Sequence, residues 1–177
     1  MKMNGLKRSL AIASACLLLA PAAFAAPQAK GAQIPNPMVS YDTYAEAAKV
    51  LGYAPLYLTK DSGYACTNIS VISKELADLE FTKLGQPDTV LRVRTALKKV
   101  NKNNNLSGIY GAKWEKKTVN GEEVQIAKLG DKEYAAMWNQ GKYSFSVQAK
   151  GLDGAGFASL LSNSLVDTTD HYFLIVK

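Results

Sequence analysis

Side chains that could perform covalent or acid–base chemistry are few in this chain, and they are widely spaced. The sequence has one histidine, His171, and two cysteines, Cys16 and Cys66. A serine or cysteine nucleophile needs a histidine held against it, and a zinc site needs several His and Cys residues at short spacing. A glycine-rich phosphate-binding loop of the GxGxxG or GK[ST] type is also missing from the sequence. We therefore predict a non-enzymatic protein without catalytic, metal-binding or cofactor-binding residues.

Side chains suited to binding are more frequent. The chain has nine tyrosines and two tryptophans, and two arginines alternate in one predicted strand. Aromatic rings on a sheet can contact a glycan or an apolar ligand, and guanidinium groups bind anionic groups. The candidate ligand-binding residues are Arg92, Arg94, Tyr110 and Trp114. Alternatively, the aromatics fill the core, the arginines mark a solvated face, and an exposed sheet edge recruits a protein partner.

The first 25 residues have the pattern of an export signal. A basic segment precedes the apolar run Leu10 to Leu19, and Ala23-Phe24-Ala25 has the small-x-small form of a cleavage site. We expect the mature protein to begin at Ala26 and to be periplasmic or secreted. Cleavage would lower the formal net charge from +6 to +3, which gives no argument for nucleic acid as a partner.

Cysteine content limits the chemistry of the predicted mature chain. Cys66 is the only cysteine after Ala25, so no intrachain disulfide can form. A lone thiol in an exported protein is usually buried and inert, and the spacing around Cys66 favours a strand. A reactive, dimerising or haem-ligating thiol is the alternative.

Three regions follow from composition and periodicity: a signal peptide (1–25), a flexible leader (26–37) and one α+β domain (38–177). The leader is rich in Ala, Pro, Gln and Gly, and no apolar run after the signal approaches membrane-spanning length. Thr43 and Glu46 have capping-box spacing and Gly52 suits a helix C-cap, which predicts a helix over 43–51. Asp153 can cap a second helix, in which Phe157, Leu160, Leu161 and Leu165 recur at helical spacing.

The stretch Glu133 to Ala149 predicts a β-hairpin, because apolar residues alternate on both sides of Gln140-Gly141. A two-residue loop at Gln140-Gly141 keeps the apolar residues on one face and leaves the face of Ser144, Ser146 and Gln148 solvated. A three-residue loop with a glycine bulge suits the turn chemistry better but moves the tryptophan to the serine face. The hydrophobic pattern favours the first register, which pairs Trp138 with Tyr143, Ala136 with Phe145, and Tyr134 with Val147.

The remaining strands follow from period-2 patterns and turn residues. Asn120-Gly121 is the strongest turn signal, because both residues accept the positive φ of a type I′ turn. The tail after Leu165 could add an edge strand or pack loosely. We predict a meandering antiparallel sheet of about six to seven strands, with an N-terminal and a C-terminal helix packed on one face. Besides the hairpin, the predicted strands are Tyr64 to Ile72 (as a central strand), Ala77 to Thr82, Thr89 to Leu97, Tyr110 to Val119 and Glu122 to Leu129.

The order of these segments resembles a bacterial domain-of-unknown-function family. The resemblance rests on the NP…Y…EA..LG opening at Asn36 to Gly52 and on the WxxGxYxF pattern at Trp138 to Phe145. That family is found on exported proteins and on the extracytoplasmic part of anti-sigma-factor-like membrane proteins. The resemblance implies an extracytoplasmic binding or sensing module of unknown ligand, and we expect this protein to act through a protein partner. A small-ligand carrier that uses an aromatic sheet face or a sheet–helix cavity is the alternative.

Overall fold

The structure is a computed structural model that describes residues 37–169. The predicted signal peptide, residues 26–36 of the leader, and the tail from Asp170 with His171 lie outside the described residues. Within 37–169 the chain forms eight strands and two main helical segments. The strands are β1 (Met38–Ser40), β2 (Tyr64–Ile72), β3 (Leu76–Lys83), β4 (Gln86–Leu97), β5 (Glu115–Val119), β6 (Glu122–Gly130), β7 (Glu133–Gln140) and β8 (Tyr143–Lys150). The helices are α1 (Tyr44–Leu51), a 3-10 turn at Lys60–Ser62, and α2 (Gly154–Leu160), which continues as a π-helical turn at Leu161–Leu165.

All eight strands belong to one antiparallel sheet in the order β1-β2-β3-β4-β8-β7-β6-β5. Two four-strand meanders meet where β4 pairs with β8, and β1 and β5 are the two edges. The α+β class with a mostly antiparallel sheet is therefore correct, but the predicted count of six to seven strands was wrong. β1 was missed because three residues are too few to show a period-2 pattern.

The sheet has one apolar and one polar face. Cross-strand pairing places Leu79, Val93, Val147, Ala136 and Ile126 in one row, which defines the apolar face. The neighbouring row, Asp78, Arg94, Ser146, Met137 and Gln125, defines the polar face. Alternation along every strand produces this division.

The N-terminal helix covers less of the sheet than predicted. Its capping box is confirmed: Thr43 accepts from the Glu46 N–H, Glu46 accepts from the Thr43 N–H, and Gly52 caps the end. However, Ala47 is the only residue of α1 that is fully buried. The irregular segment 53–59 covers β3 and β4 instead: Leu56 and Leu58 are buried, and Tyr53 donates to the Thr95 carbonyl at 2.7 Å. Pro55 keeps this segment out of a helix.

The C-terminal helix provides the rest of the cover on the apolar face. Asp153 caps it by accepting from the Gly156 N–H at 2.7 Å, as predicted. Phe157, Leu160, Leu161 and Leu165 are buried, also as predicted. Phe157 stacks on Tyr134 of β7, and the Trp138 indole donates to Thr169 at 3.3 Å. The C-terminal helical segment therefore packs on β7.

The predicted hairpin exists, but its predicted register was wrong by two residues. The turn residues are Gly141 and Lys142, because Gln140 pairs with Tyr143 and Trp138 with Phe145. Gly141 has φ +53 at the first turn position, which fits the Gly-X preference of a type II′ turn. A shift of two residues keeps each side chain on its predicted face. The alternative three-residue loop is also excluded.

Two strand predictions were wrong in detail. β2 pairs with β1 only over 70–72, so the strand is not central, and a bulge between Cys66 and Asn68 moves Tyr64 and Cys66 onto the apolar face. The strand predicted from Tyr110 begins only at Glu115. A bulge cannot be inferred from alternation when both faces of a strand carry apolar residues.

The serine face of the hairpin is not solvated as predicted. Residues 98–114 leave β4 near the centre of the sheet and enter β5 at its edge, so they must pass β8, β7 and β6. Arg94 on the polar face donates to the carbonyls of Leu106 and Ser107, at 3.3 and 2.8 Å, which places this crossing segment on the polar face. Ser144 and Ser146 are buried in consequence.

Candidate functional site

The two strand arginines meet at one buried carboxylate. Asp78 is 2% exposed and forms ion pairs with Arg92 at 3.1 Å and Arg94 at 3.0 Å. Arg94 uses its other nitrogen to hold the crossing segment, and its side chain is only 16% exposed. We conclude that Arg94 fixes the fold, whereas Arg92, 44% exposed, is the more accessible of the two predicted ligand-binding arginines.

The two predicted aromatic residues do not take part in the hydrogen bonds of this ion pair. Tyr110 belongs to the crossing segment and is 85% exposed, and Trp114 is half-buried immediately before β5. Arg92 instead borders an open depression whose lining carries both acidic and basic side chains. Its other lining residues are Glu80, Val90, Glu133, Gln148 and Lys150. The mixed charges give this depression no clear preference for an anion.

A polar cavity of about 240 Å³ lies between the crossing segment and the β6–β7 end of the polar face. Amide and carboxylate residues form more than half of its lining, and the apolar residues of the lining are Leu106, Met137, Trp138 and Phe145. Part of the wall is already paired, since Glu123 binds Lys116 and Asn139 accepts from Ser144. Among the described residues, no group of three or more His, Cys, Asp or Glu residues could hold a metal ion.

The apolar face of the sheet has a larger depression beside α2. α2 packs on β7 through the stacked rings of Phe157 and Tyr134, and the β5–β6 hairpin lies beside the helix. Between them lies a groove of about 500 Å³, which we call the helix–hairpin groove. Its apolar lining comes from Val119, Ile126, Tyr134, Phe157 and Leu161, and its helix side from the small residues Gly154, Ala158, Ser159 and Ser162.

One hydrogen bond joins the two sides of the groove. Asn120 in the β5–β6 turn donates to the Ser162 carbonyl at 2.7 Å, which links the tip of the hairpin to the helix. The turn itself is confirmed as predicted, with positive φ at Asn120 and Gly121. Lys117 is the only charged residue among those that line the groove within residues 37–169. The groove is thus a preformed apolar site with one cation at its rim, which is typical of ligand sites.

The edge strand β5 borders the groove. In a two-residue hairpin, the residues that flank the turn exchange both backbone hydrogen bonds, and the pattern then alternates. Val119 and Lys117 therefore bond to β6, whereas the N–H and C=O groups of Thr118 and Lys116 point away from the sheet. No described strand pairs with this edge. β5 has five residues and no bulge, so its outward backbone groups are regularly spaced.

The lone cysteine lies at the opposite end of the sheet. Cys66 is half-buried on β2, and burial raises the pKa of its thiol above the ordinary value. Burial likewise raises the pKa of Tyr57, which packs on Phe81 in the same region. A raised thiol pKa lowers the fraction of reactive thiolate at neutral pH, which is unlike an activated nucleophile.

Comparison of the chain with models of protein families, with curated proteins and with solved structures gave no match. The resemblance described above therefore stays a prediction from the sequence. Within residues 37–169, no helix is both long enough and apolar enough to cross a membrane.

The sequence predicts an exposed sheet edge as a possible partner site but does not show that β5 is that edge. The signal was present in the sequence, because the Asn120-Gly121 turn fixes a hairpin and Lys116-Lys117 is the charged type of segment found on sheet edges. The position of β5 at the edge depends on the strand order, which period-2 patterns do not give.

Proposed function

We propose that this protein is a non-enzymatic binding module of the bacterial envelope that acts by recruiting a protein partner. The observation that carries the proposal is the combination of an edge strand that is unpaired within residues 37–169 and an adjacent apolar groove. An extended segment of the partner adds to β5 through the outward backbone groups of Thr118 and Lys116. One of its side chains enters the helix–hairpin groove.

Strand addition fits this edge for two reasons. Main-chain hydrogen bonds to an exposed edge supply affinity, and side-chain pockets at alternate positions supply specificity. β5 offers both, because Val119 on its apolar side lines the groove. The predicted export signal gives the proposed location outside the cytoplasm, and the sequence resemblance to extracytoplasmic modules points the same way.

Selection of random nonapeptides displayed on phage, with the purified protein as target, tests the proposal. Thr118→Pro removes the outward N–H of residue 118 without removing a hydrogen bond to β6, and proline is tolerated on edge strands. We expect selected peptides to lose at least about tenfold in affinity for Thr118→Pro, from the loss of one or more main-chain hydrogen bonds of about 1 kcal/mol each and of strand geometry. Thr118→Val keeps the N–H and should bind as wild type does. Equal binding to all three proteins, or no selected peptide, would refute strand addition.

A second variant pair tests the groove. Ala158 lines the groove from the helix, whereas Ala155 is exposed on α2 and is not part of the lining. Ala158→Phe should fill the groove and weaken peptide binding, whereas Ala155→Phe should not. Thermal unfolding of both variants shows whether the helix tolerates the larger side chain. Similar peptide binding by both variants would mean that no side chain enters the groove.

A small-ligand carrier is the second candidate function, and the size of the groove favours it. A volume of about 500 Å³ at the boundary of sheet and helix lies within the range of small-molecule sites. Native mass spectrometry of the purified protein separates the two functions, because a carrier would retain an additional mass. Ala158→Phe would remove that mass, whereas Thr118→Pro would leave it, since a small ligand needs no strand edge.

A further inference from the structure

The charges along β5 indicate what kind of segment the edge accepts. Residues that alternate on a strand share a face, so Val119, Lys117 and Glu115 all lie on the apolar side of β5. They present an apolar, a basic and an acidic side chain in that order. Directly opposite residues on paired strands interact, and opposite charges stabilise the pair.

Among these three residues of β5, Lys117 most strongly favours one type of partner side chain. It lines the groove, and within residues 37–169 it has no ion pair, whereas Lys116 is bound to Glu123 and Lys128 lies 4.0 Å from Asp131. The nearest carboxylates in register, Glu115 and Glu122, are not part of the groove lining. An acidic residue opposite Lys117 would thus meet a cation that forms no ion pair with another described residue.

We infer that the partner of β5 is an extended acidic–apolar segment of another protein, with an acidic residue opposite Lys117 and an apolar residue opposite Val119. These two residues are two positions apart, and a basic residue opposite Glu115 would extend the pattern. In an antiparallel partner the order is apolar-x-acidic-x-basic. This inference rests on the proposed function, because it assumes that a strand adds to β5.

A second copy of this chain fits the edge poorly. The antiparallel register that pairs all five residues of β5 with β5 of another copy sets Lys117 opposite Lys117. Like charges directly opposite are destabilising, and lysines on edge strands oppose self-association. Charge complementarity therefore selects an acidic partner over self-pairing.

The sequences of the displayed nonapeptides selected above test the inference, with two charge-reversal variants as targets. Lys117→Glu changes the groove side of β5, and Lys116→Glu is the matched control on the opposite face of the same strand. We expect Asp or Glu two positions from an apolar residue among wild-type binders. One such peptide should lose about two- to fivefold in affinity for Lys117→Glu beyond any loss for Lys116→Glu, the range of one exposed ion pair.

The outcomes distinguish this inference from the proposed function. Peptides that depend on Thr118 but show no acidic preference, or that respond equally to both reversals, would overturn the acidic–apolar assignment and leave strand addition standing. The absence of any Thr118-dependent peptide would overturn both. A dimer in native mass spectrometry that Thr118→Pro dissociates would overturn the inference by assigning the edge to a second copy.

Discussion

The two edges of the sheet differ in how they are protected. At the β1 edge, a three-residue strand covers one end of β2, a bulge at Thr67 interrupts the rest, and α1 lies alongside. At the β5 edge, five residues without a bulge border an apolar groove. Proteins usually shorten, twist or cover their edges to prevent unwanted pairing. Within residues 37–169, only lysines serve this purpose on β5, and we therefore propose this edge, not the β1 edge, as the partner site.

The two ends also differ in how firmly they are fixed. In the half of the sheet that contains β1 to β4, buried Asp78 binds two arginines, and the Tyr53 hydroxyl donates to carbonyls on β4 and in the β2–β3 turn. At the β5 end, the ion pair between Lys116 and Glu123 is exposed, and one Asn120 hydrogen bond links the hairpin to the helix. The comparison predicts a rigid platform at one end and an independently perturbable hairpin at the other.

Removal of a carboxylate should therefore have very different effects at the two ends. Asp78→Ala leaves two arginines without their partner and should lower the free energy of unfolding by about 3–5 kcal/mol, the usual cost of breaking a buried pair. Glu123→Ala breaks an exposed pair and should cost less than about 1 kcal/mol. Denaturant titrations of both variants measure this difference. Losses of similar size would show that the two ends are equally fixed.

A smaller effect should separate stability from binding. Gly52 and Gly121 both have positive φ, and no atom lies within contact distance of the place that a Cβ would take. Alanine at either position therefore costs conformational energy alone, about 1–2 kcal/mol. Gly121→Ala also disturbs the turn that sets β5 and should weaken peptide binding, whereas Gly52→Ala at the end of α1 should not. Unfolding curves and peptide titrations check both, and equal effects on binding would contradict a role for the hairpin alone.

The smallest expected effect is on the alkylation rate of the Cys66 thiol on β2, not on the stability of the protein. Burial raises the pKa of Cys66, so its thiolate forms only as the pH rises above the range in which an ordinary thiol ionises. Alkylation by iodoacetamide at neutral pH should be slower in the folded protein than in the unfolded one, and faster at higher pH. Cys66→Ser gives the background from any other thiol. Equally fast labelling of folded and unfolded protein would show that this end is open.

Much of the local structure could be predicted because its causes are local. The capping box at Thr43, the cap at Asp153 and the Asn120-Gly121 turn each depend on residues within three positions of one another. The predicted β7–β8 register was wrong because a Gly141-Lys142 turn and a Gln140-Gly141 turn both keep the same side chains on the apolar face. The alternation of apolar residues therefore cannot distinguish the two turns.

The candidate site was harder to predict because its causes are not local. The charge of Arg92 and Arg94 predicts ligand binding, but both side chains bind Asp78. Asp78 is on a different strand, so the sequence does not show this pairing. The helix–hairpin groove forms between α2 and the β5–β6 hairpin, which are brought together by the strand order. Periodicity along the chain carries no information on that order.

Residue-resolved amide exchange, measured by NMR with and without the tightest selected nonapeptide, tests the central claim most directly. In the free protein, the amides of Lys116 and Thr118 should exchange faster than those of Lys117 and Val119, which bond to β6. Bound peptide should slow Lys116 and Thr118 and leave residues 64–69 of β2 unchanged. Slower exchange along β2 with no change in β5 would contradict the account, because the partner would then occupy the other edge.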